Sequence, residues 1–354
     1  MATFDLLADL PLTIDECVLE ALERDVSSDF TRKSTVIRLR GGGHEGVGED
    51  VTYDAEDHEA LQEAGPPTGL AGEGTLADFC DRLEALDLWP RPPVREPSRH
   101  YRIWAFESAA LDLALRQAGR ALHEVLDRPL RPVTFVVSLR LPDPPSIDPI
   151  RRRLERYPSL RFKLDPTSDW DAALVDQLVA TGAVDSVDLK GQYEGTVVDQ
   201  GADPELYRLV AESFPDAWIE DPRLTPETDE VLRPHRDRVT WDAIIHSVAD
   251  IEALPFPPRM VNVKPSRLGP LRGLLAAYDF CAERGISTYG GGQFELGPGR
   301  GQIQLLASLF HADTPNDVAP GAFNDTDPPP GLPTSPLEPQ ASPTGFRWGE
   351  WSER

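Results

Sequence analysis

The stretch FPDAWIEDP (214–222) runs from residues suited to a buried strand, Ala217-Trp218-Ile219, directly into Glu220 and Asp221, and Pro222 then stops the strand. Two acids at a strand exit ordinarily form a solvated loop. They become part of a site only if neighbouring strands end in the same way.

The neighbouring segments do. After about residue 130, short apolar segments alternate with helical ones. Strands are expected at TFVVSL (134–139), RFKL (161–164), SVDL (186–189), AWIE (217–220), RVTW (238–241), MVNVK (260–264) and ISTYG (286–290). Helices are expected at 147–156, 169–181, 204–213, 226–235, 247–253, 269–284 and 299–310. Such alternation means parallel strands joined by right-handed crossovers, and seven units in one run favour a closed barrel over an open sheet. NDVAP (316–320) is expected to hold the remnant of an eighth strand.

In a barrel of this kind the functional residues sit at the C-terminal ends of the strands. Those ends carry Lys163, Asp188, Glu220, Asp242 and Lys264 in turn. Three carboxylates converging in one cleft repel each other and call for a cation. Oxygen-only ligation suits a hard ion, Mg²⁺ first and Mn²⁺ as its substitute. A lysine beside a bound dication has a lowered pKa and can act as a base, and a cation that holds a substrate carboxylate favours loss of the adjacent α-proton.

Composition narrows the alternatives. The 354 residues carry a formal net charge of −25, which argues against nucleic acid as a partner. No apolar run is long enough for a membrane span, and the acidic start MATFDLLADL lacks the pattern of a signal peptide, so a cytoplasmic protein is expected. Three scattered cysteines, Cys17, Cys80 and Cys281, make neither a disulfide framework nor a zinc site. Only four lysines occur (Lys33, Lys163, Lys190 and Lys264) against 31 arginines, so their positions carry information.

Ahead of the barrel, STVIRLRGGGHEGVGEDVTY (34–53) reads as a hairpin, 55–64 and 75–87 as helices, 88–99 as a proline-rich connector, and 103–126 as one long amphipathic helix. The proline-rich segment DTDPPPGLPTSPLEP (325–339) excludes regular structure, and the aromatic TGFRWGEW that follows is expected to bring the tail back onto the N-terminal domain. The expected division is an α+β cap over 1–130, a (β/α)7β barrel (a modified TIM barrel) over 131–324, and the returning segment 325–354.

Taken together these motifs resemble the enolase superfamily, in the branch of muconate cycloisomerase and o-succinylbenzoate synthase. RFKLD resembles a second-strand K-x-K element, with Arg161 in the first place and Lys163 in the second. SVDLK, WIEDP and TWDAII are similar to the third-, fourth- and fifth-strand elements that supply metal ligands, here Asp188, Glu220 and Asp242. VNVKPSRLG resembles the sixth-strand base motif with Lys264. YGGGQFELGPGRGQIQLLASL (289–309) resembles the seventh-strand segment with Glu295, and IWAFESAALDLAL the helix joining cap to barrel. The sequence departs from the pattern where Lys190 replaces the Asn of a third-strand D-x-N, where Ala243 replaces a Glu, and where Arg161 replaces a Lys.

The resemblance implies an Mg²⁺-dependent isomerase or lyase. Lys163 or Lys264 takes the proton α to a small substrate's carboxylate, and the enediolate gives cycloisomerisation, racemisation, epimerisation or elimination. It also implies a homo-oligomer and substrate-facing cap loops near 23–33 and 43–52, with Phe30, Arg32 and Lys33 as candidate contacts and Lys190 and Glu295 as supporting residues. The alternatives are a non-catalytic relative that binds a metal or a carboxylate, and a lysine Schiff-base aldolase, which needs no metal triad.

Overall fold

The computed structural model describes residues 2–27, 30–193, 195 and 198–349. The chain opens with a short helix α1 (Asp5–Ala8) and strand β1 (Pro11–Ile14). An antiparallel three-stranded sheet follows: β2 (Glu16–Ser27), β3 (Phe30–Gly41) and β4 (His44–Asp50). Then come α2 (Ala55–Ala64), β5 (Gly72–Thr75), which pairs with β1, and α3 (Leu76–Glu84). The β3–β4 hairpin turns at Gly42 and Gly43, both at positive φ, as the glycine run in the sequence requires.

The long helical pattern divides in two. Helix α4 (Ser98–Gln117) begins five residues before the expected start, inside the stretch read as connector. It stops ahead of Gly119, whose φ of 66° suits the left-handed residue that ends helices, and α5 (Leu122–Val125) is separate. The apolar face alone did not reveal that break. Close packing of α4 on β4 depends on small residues: a Cβ at Gly46 or Gly48 would meet the α4 backbone at 2.2 and 2.1 Å.

Strands and helices then alternate. The elements are β6 (Val137–Leu139), α6 (Asp148–Arg156), β7 (Phe162–Leu164), α7 (Ala172–Thr181), β8 (Val184–Asp188), α8 (Pro204–Ser213), β9 (Trp218–Glu220), α9 (Pro226–Leu232), β10 (Val239–Thr240), α10 (Val248–Glu252), β11 (Met260–Val263), α11 (Pro265–Leu268), α12 (Leu271–Arg284), β12 (Ser287–Gly290) and α13 (Pro298–Phe310). Side-chain N-caps from Asp171, Asp203, Thr225 and Ser247 start α7, α8, α9 and α10, and Gly182 and Gly285 end α7 and α12 in the left-handed conformation. Strands β6 to β10 form one parallel sheet and β11 pairs in parallel with β12. The Asn262 N–H donates to the Trp241 carbonyl and joins the two sheets.

Asn316 and Asp317 close the ring. They bridge Phe135 on one side and Gly291 on the other, so the eighth strand is two residues at the start of the NDVAP segment. The result is a (β/α)7β barrel with an α+β cap. A shared buried core runs from Leu12, Ile37 and Phe106 in the cap to Phe162, Ile219 and Val261 in the barrel.

Two carboxylates of the cap hold it against the barrel mouth. The Glu49 carboxylate at the end of β4 accepts the N–H groups of Leu296 (2.7 Å), Gly297 (2.9 Å) and Gly299 (3.0 Å), capping the start of α13. Glu107 of α4 accepts the Leu271 N–H at the start of α12. The C-terminal segment reaches α4 as well. The Phe346 N–H and the Arg347 guanidinium both donate to buried Asp112, and the fully buried Phe346 ring meets Trp104 edge-on with centroids 6.1 Å apart. No helix among the described residues is long and apolar enough to cross a membrane.

Candidate active site

The strand register decides which side chains meet. In the parallel sheet Asp188 pairs with Glu220, and Glu220 with Thr240, so Asp242 lies two residues beyond, on the same face. Lys163 sits in β7 and Lys264 directly after β11, four strands apart in a ring of eight, and hence on opposite walls. All five charged residues read from the strand ends are buried at this mouth.

They are densely paired. The Lys163 ammonium donates to Glu220, lies 3.0 Å from Asp188 Oδ2, and is 3.8 Å from Asp317. Lys190 meets the same Asp188 oxygen, and its backbone N–H donates to Asp188 Oδ1 at 3.1 Å. Lys264 donates to Asp242 Oδ2 at 2.9 Å, and Arg267 donates to Asp242 Oδ1. The Tyr193 hydroxyl donates to Asp242 Oδ2 at 3.1 Å, and the Tyr289 hydroxyl to Glu220 Oε2 at 2.6 Å.

The carboxylates Asp188, Glu220 and Asp221 approach each other closely enough, within 4.8 Å, to hold one metal ion. This grouping differs from the expected Asp188, Glu220 and Asp242. Asp221 takes the third place in it, while Asp242 pairs with Lys264 and Arg267. Asp221 is also a support for Asp242: its two oxygens accept the N–H groups of Asp242 (2.8 Å) and Ala243 (2.9 Å). Both Asp221 and Lys190 hold left-handed backbone, with φ of 49° and 51°, which costs a non-glycine residue on the order of 1 kcal/mol or more.

Burial and charge push the titrating groups in different directions. Glu220 is raised well above the usual carboxylate range, because burial and the nearby Asp188, Asp242 and Asp221 outweigh Lys163. Asp221 is raised to about 7 by burial and by Asp242 and Asp188. Asp188 and Asp242 are held below their usual range: against the upward push of burial, Lys163 and Lys190 hold the first, and Arg267 and Lys264 the second. Burial pulls Lys163 down, but Asp188, Glu220 and Asp317 together raise it well above normal. Lys264 goes the other way, lowered by burial and by Arg267, with Asp242 offsetting only part.

These observations fit a divalent cation. Six carboxyl groups (Asp165, Asp188, Glu220, Asp221, Asp242 and Asp317) meet four cationic side chains (Lys163, Lys190, Lys264 and Arg267) in this buried to half-buried cluster. The acids outnumber the cations by two, and the upward shifts of Glu220 and Asp221 reflect that crowding, which a dication would relieve. The donors are all oxygen, as a hard ion requires.

The other candidate residues lie elsewhere. Arg161 is held by Asp185 and the Gly182 carbonyl at the N-terminal end of β7, away from the mouth. Arg32 is fully buried, and its guanidinium donates to the carbonyls of Thr52, Val51, Gln293 and Phe294, so it clamps the cap to the seventh barrel loop and is not presented to a substrate. Lys33 pairs with Glu59 on the cap surface at 2.7 Å. Glu295 pairs with Arg300 of α13 at 2.8 Å and accepts the Gln293 N–H. Phe30 opens β3; its side chain lies outside the described residues.

Sequence reasoning assigned no site role to Asp221, Asp165, Arg267, Tyr289, Tyr193 or Asp317. Asp221 adjoins a strand-end acid, Asp165 shares a face with Lys163, and Arg267 lies one helical turn after Lys264, so a period-aware reading of each strand exit reaches those three. Tyr193 arrives from a long loop and carries no local signal. The glycines of YGGGQ permit close approach, as a Cβ on Gly291 would lie 2.8 Å from Lys264 Cε and 2.7 Å from Asn262.

Comparison with known proteins agrees with this architecture. Two family profiles, described as the N-terminal and C-terminal domains of a domain of unknown function (DUF8230), match residues 5–125 and 129–325. An N-succinylamino acid racemase from Amycolatopsis sp is 31% identical over 234 residues, covering 63% of this chain and 61% of that protein. The o-succinylbenzoate synthase of Bacillus subtilis (strain 168) is 26% identical, covering 60% of this chain and 57% of that protein. The matched region thus spans about three-fifths of these relatives' length. Among solved structures, a member of the enolase superfamily from Listeria innocua Clip11262 superposes with a TM-score of 0.60 at 19% identity, covering 88% of this chain and 85% of that one. A dipeptide epimerase from Methylococcus capsulatus, complexed with Mg ion, gives 0.65 at 18% identity, covering 96% and 99%. The fold is therefore that of the enolase superfamily.

Proposed function

The chain belongs to the DUF8230 family, and we propose that it is a divalent-cation-dependent enzyme that removes the proton α to the carboxylate of a small acid. One observation carries this reading: two buried lysines face each other across a carboxylate cluster, and their surroundings drive their proton affinities apart.

Asp188, Glu220 and Asp242 would hold the cation, with Mg²⁺ preferred and Mn²⁺ as substitute; Asp221 would fix the Asp242 backbone. The third ligand is assigned to Asp242 because the oxygens of Asp221 already accept two backbone N–H groups, whereas the partners of Asp242 are side chains that can move. When bound, the cation supplies electrostatic stabilisation of negative charge on the substrate carboxylate.

Lys264 is the base. Burial and the adjacent Arg267 favour its neutral amine, so a free lone pair is available nearer to neutral pH than for an exposed lysine. Lys163 keeps its proton, because Asp188 and Glu220 stabilise its ammonium. It faces the opposite side of the substrate, where it steadies the enediolate charge or returns the proton. Return from the face opposite to removal inverts the centre, which is racemisation or epimerisation. Loss of a β-substituent or ring opening gives the elimination and cycloisomerisation outcomes.

The relatives point to N-acylated amino acids as the first substrates to try. Incubation with Mg²⁺ in D₂O against N-succinylamino acids, dipeptides and succinylbenzoate precursors, with EDTA controls, reads α-proton exchange by NMR. Metal-dependent exchange is expected. Its absence from the whole panel, with Mg²⁺ still raising the melting temperature, would leave a carboxylate-binding protein in place of an enzyme.

A further inference from the structure

Asp188 Oδ2 receives two ammonium groups, those of Lys163 and Lys190. A carboxylate oxygen occupied in this way cannot also bind a divalent cation at full strength, so one lysine must withdraw. The two are not equally free to do so. Lys163 is shared with Glu220 and lies near Asp317, and its side chain is 4% exposed. Among the described residues Lys190 has one further acidic neighbour, Asp165, at 3.8 Å. Asp165 Oδ1 is buried and accepts no hydrogen bond among the described residues. A buried carboxylate oxygen without a donor is costly and strongly favours an approaching ammonium. The shift from 3.8 Å to an ordinary charge-assisted hydrogen bond is about 1 Å, within reach of lysine rotamers. The Tyr193 ring lies 5.1 Å from the ammonium in a cation–π contact.

We infer that Lys190 is a displaceable internal counter-ion: its ammonium neutralises Asp188 while no dication is bound, and transfers to the vacant oxygen of Asp165 when a dication takes Asp188. The inference rests on the proposal that Asp188 and Glu220 hold a divalent cation. It assigns Lys190 to setting cation affinity and Asp165 to receiving the displaced charge, so both are positioning residues. The site keeps its charge balance in both states, since one buried pair is exchanged for another and no ammonium is left unpaired.

The test is calorimetric titration of MgCl₂ and MnCl₂ into the full chain, with melting curves in EDTA and in Mg²⁺. The proteins compared are the wild type, K190N, D165N and the double variant. Asn is chosen because Lys190 lies in left-handed backbone, which Asn tolerates; K190Q serves if K190N fails to fold. K190N is expected to bind Mg²⁺ about tenfold more tightly, within the usual range of coupling between sites, and to melt lower in EDTA. D165N is expected to weaken Mg²⁺ binding by a similar factor in the wild-type background and to have no effect in the K190N background. Equal affinity in wild type and K190N would overturn the role of Lys190 and leave the cation site standing. An equal D165N effect in both backgrounds would overturn the transfer. If neither wild type nor K190N binds either ion, the cation site itself falls and this inference with it. Binding by K190N alone would support both, with the internal ammonium dominant in the wild type.

Discussion

The two walls of the barrel mouth hold the same residue type in nearly the same degree of burial, yet they treat it in opposite ways. Lys163 is 3% and Lys264 9% exposed. On the first wall two carboxylates and a third at 3.8 Å surround one ammonium, and the proton is held tightly. On the second wall one carboxylate is shared between Lys264 and Arg267, and the proton is held loosely. Burial alone would lower both lysines. The local ratio of acids to bases decides whether that tendency survives.

The largest expected effect comes from removing the lysines. K264A is expected to lose α-proton exchange by about 10³-fold or more, the range typical of a positioned base, with its melting temperature close to wild type. K163A is expected to abolish inversion while leaving measurable exchange on one enantiomer. Equal loss of exchange on both enantiomers in both variants would erase the distinction between the walls.

Next is the cation beside the base. R267M removes a positive neighbour of Lys264, so the Lys264 ammonium becomes easier to keep. Activity that depends on the neutral amine then appears at higher pH. The ascending limb of the kcat/KM profile is expected to move up by about one pH unit, with roughly a tenfold loss at pH 7. An unmoved limb would mean that Lys264 is not the group titrating there.

G291A probes the same wall by geometry. A Cβ 2.8 Å from Lys264 Cε must displace the side chain or the loop. A loss of about tenfold in kcat with little change in fold stability is expected, and unchanged kcat would show that the amine position has slack.

The smallest effect concerns stability on the Lys264 side. Glu107 caps α12, the helix that follows Arg267, and burial raises its carboxyl to about 7 in the folded chain from an ordinary 4.5. The folded state therefore holds this proton more tightly than the unfolded chain does. The stabilisation it gives is complete below about pH 4.5 and is lost as pH rises through 7. E107Q keeps an acceptor for the Leu271 N–H without the titration. It is expected to flatten the fall in stability between pH 5 and 8, by about 2 kcal/mol or less, in urea melts across that range. An unchanged slope would place the titration elsewhere.

Several residues show how far local signals reach. The strand-end positions Lys163, Asp188, Glu220, Asp242 and Lys264 were legible because β/α units recur and each exit is marked by a change from apolar to charged residues. The eighth strand was nearly silent, since it consists of Asn316 and Asp317 alone and is defined by its partners Phe135 and Gly291. Arg32 illustrates the opposite failure. A basic residue in a cap strand looks like a substrate contact, but its donors are spent on four carbonyls from segments near 51 and 293 that no local pattern connects to it. Arg161 had the right spacing to Lys163 and the wrong level in the barrel, where Asp185 holds it.

The sequence by itself determined the barrel, the cap and five of the charged groups at the mouth, because periodicity, turn residues and strand exits are properties of contiguous residues. Only the tertiary structure decided which ammonium meets which carboxylate, that Asp221 joins Asp188 and Glu220 while Asp242 turns to Lys264 and Arg267, and that the two lysines differ in proton affinity. The physical reason is that these outcomes depend on distances of 2.6–3.8 Å between residues brought together from different strands and loops. In a buried, low-dielectric site a shift of one ångström changes such an interaction by more than any local propensity contributes.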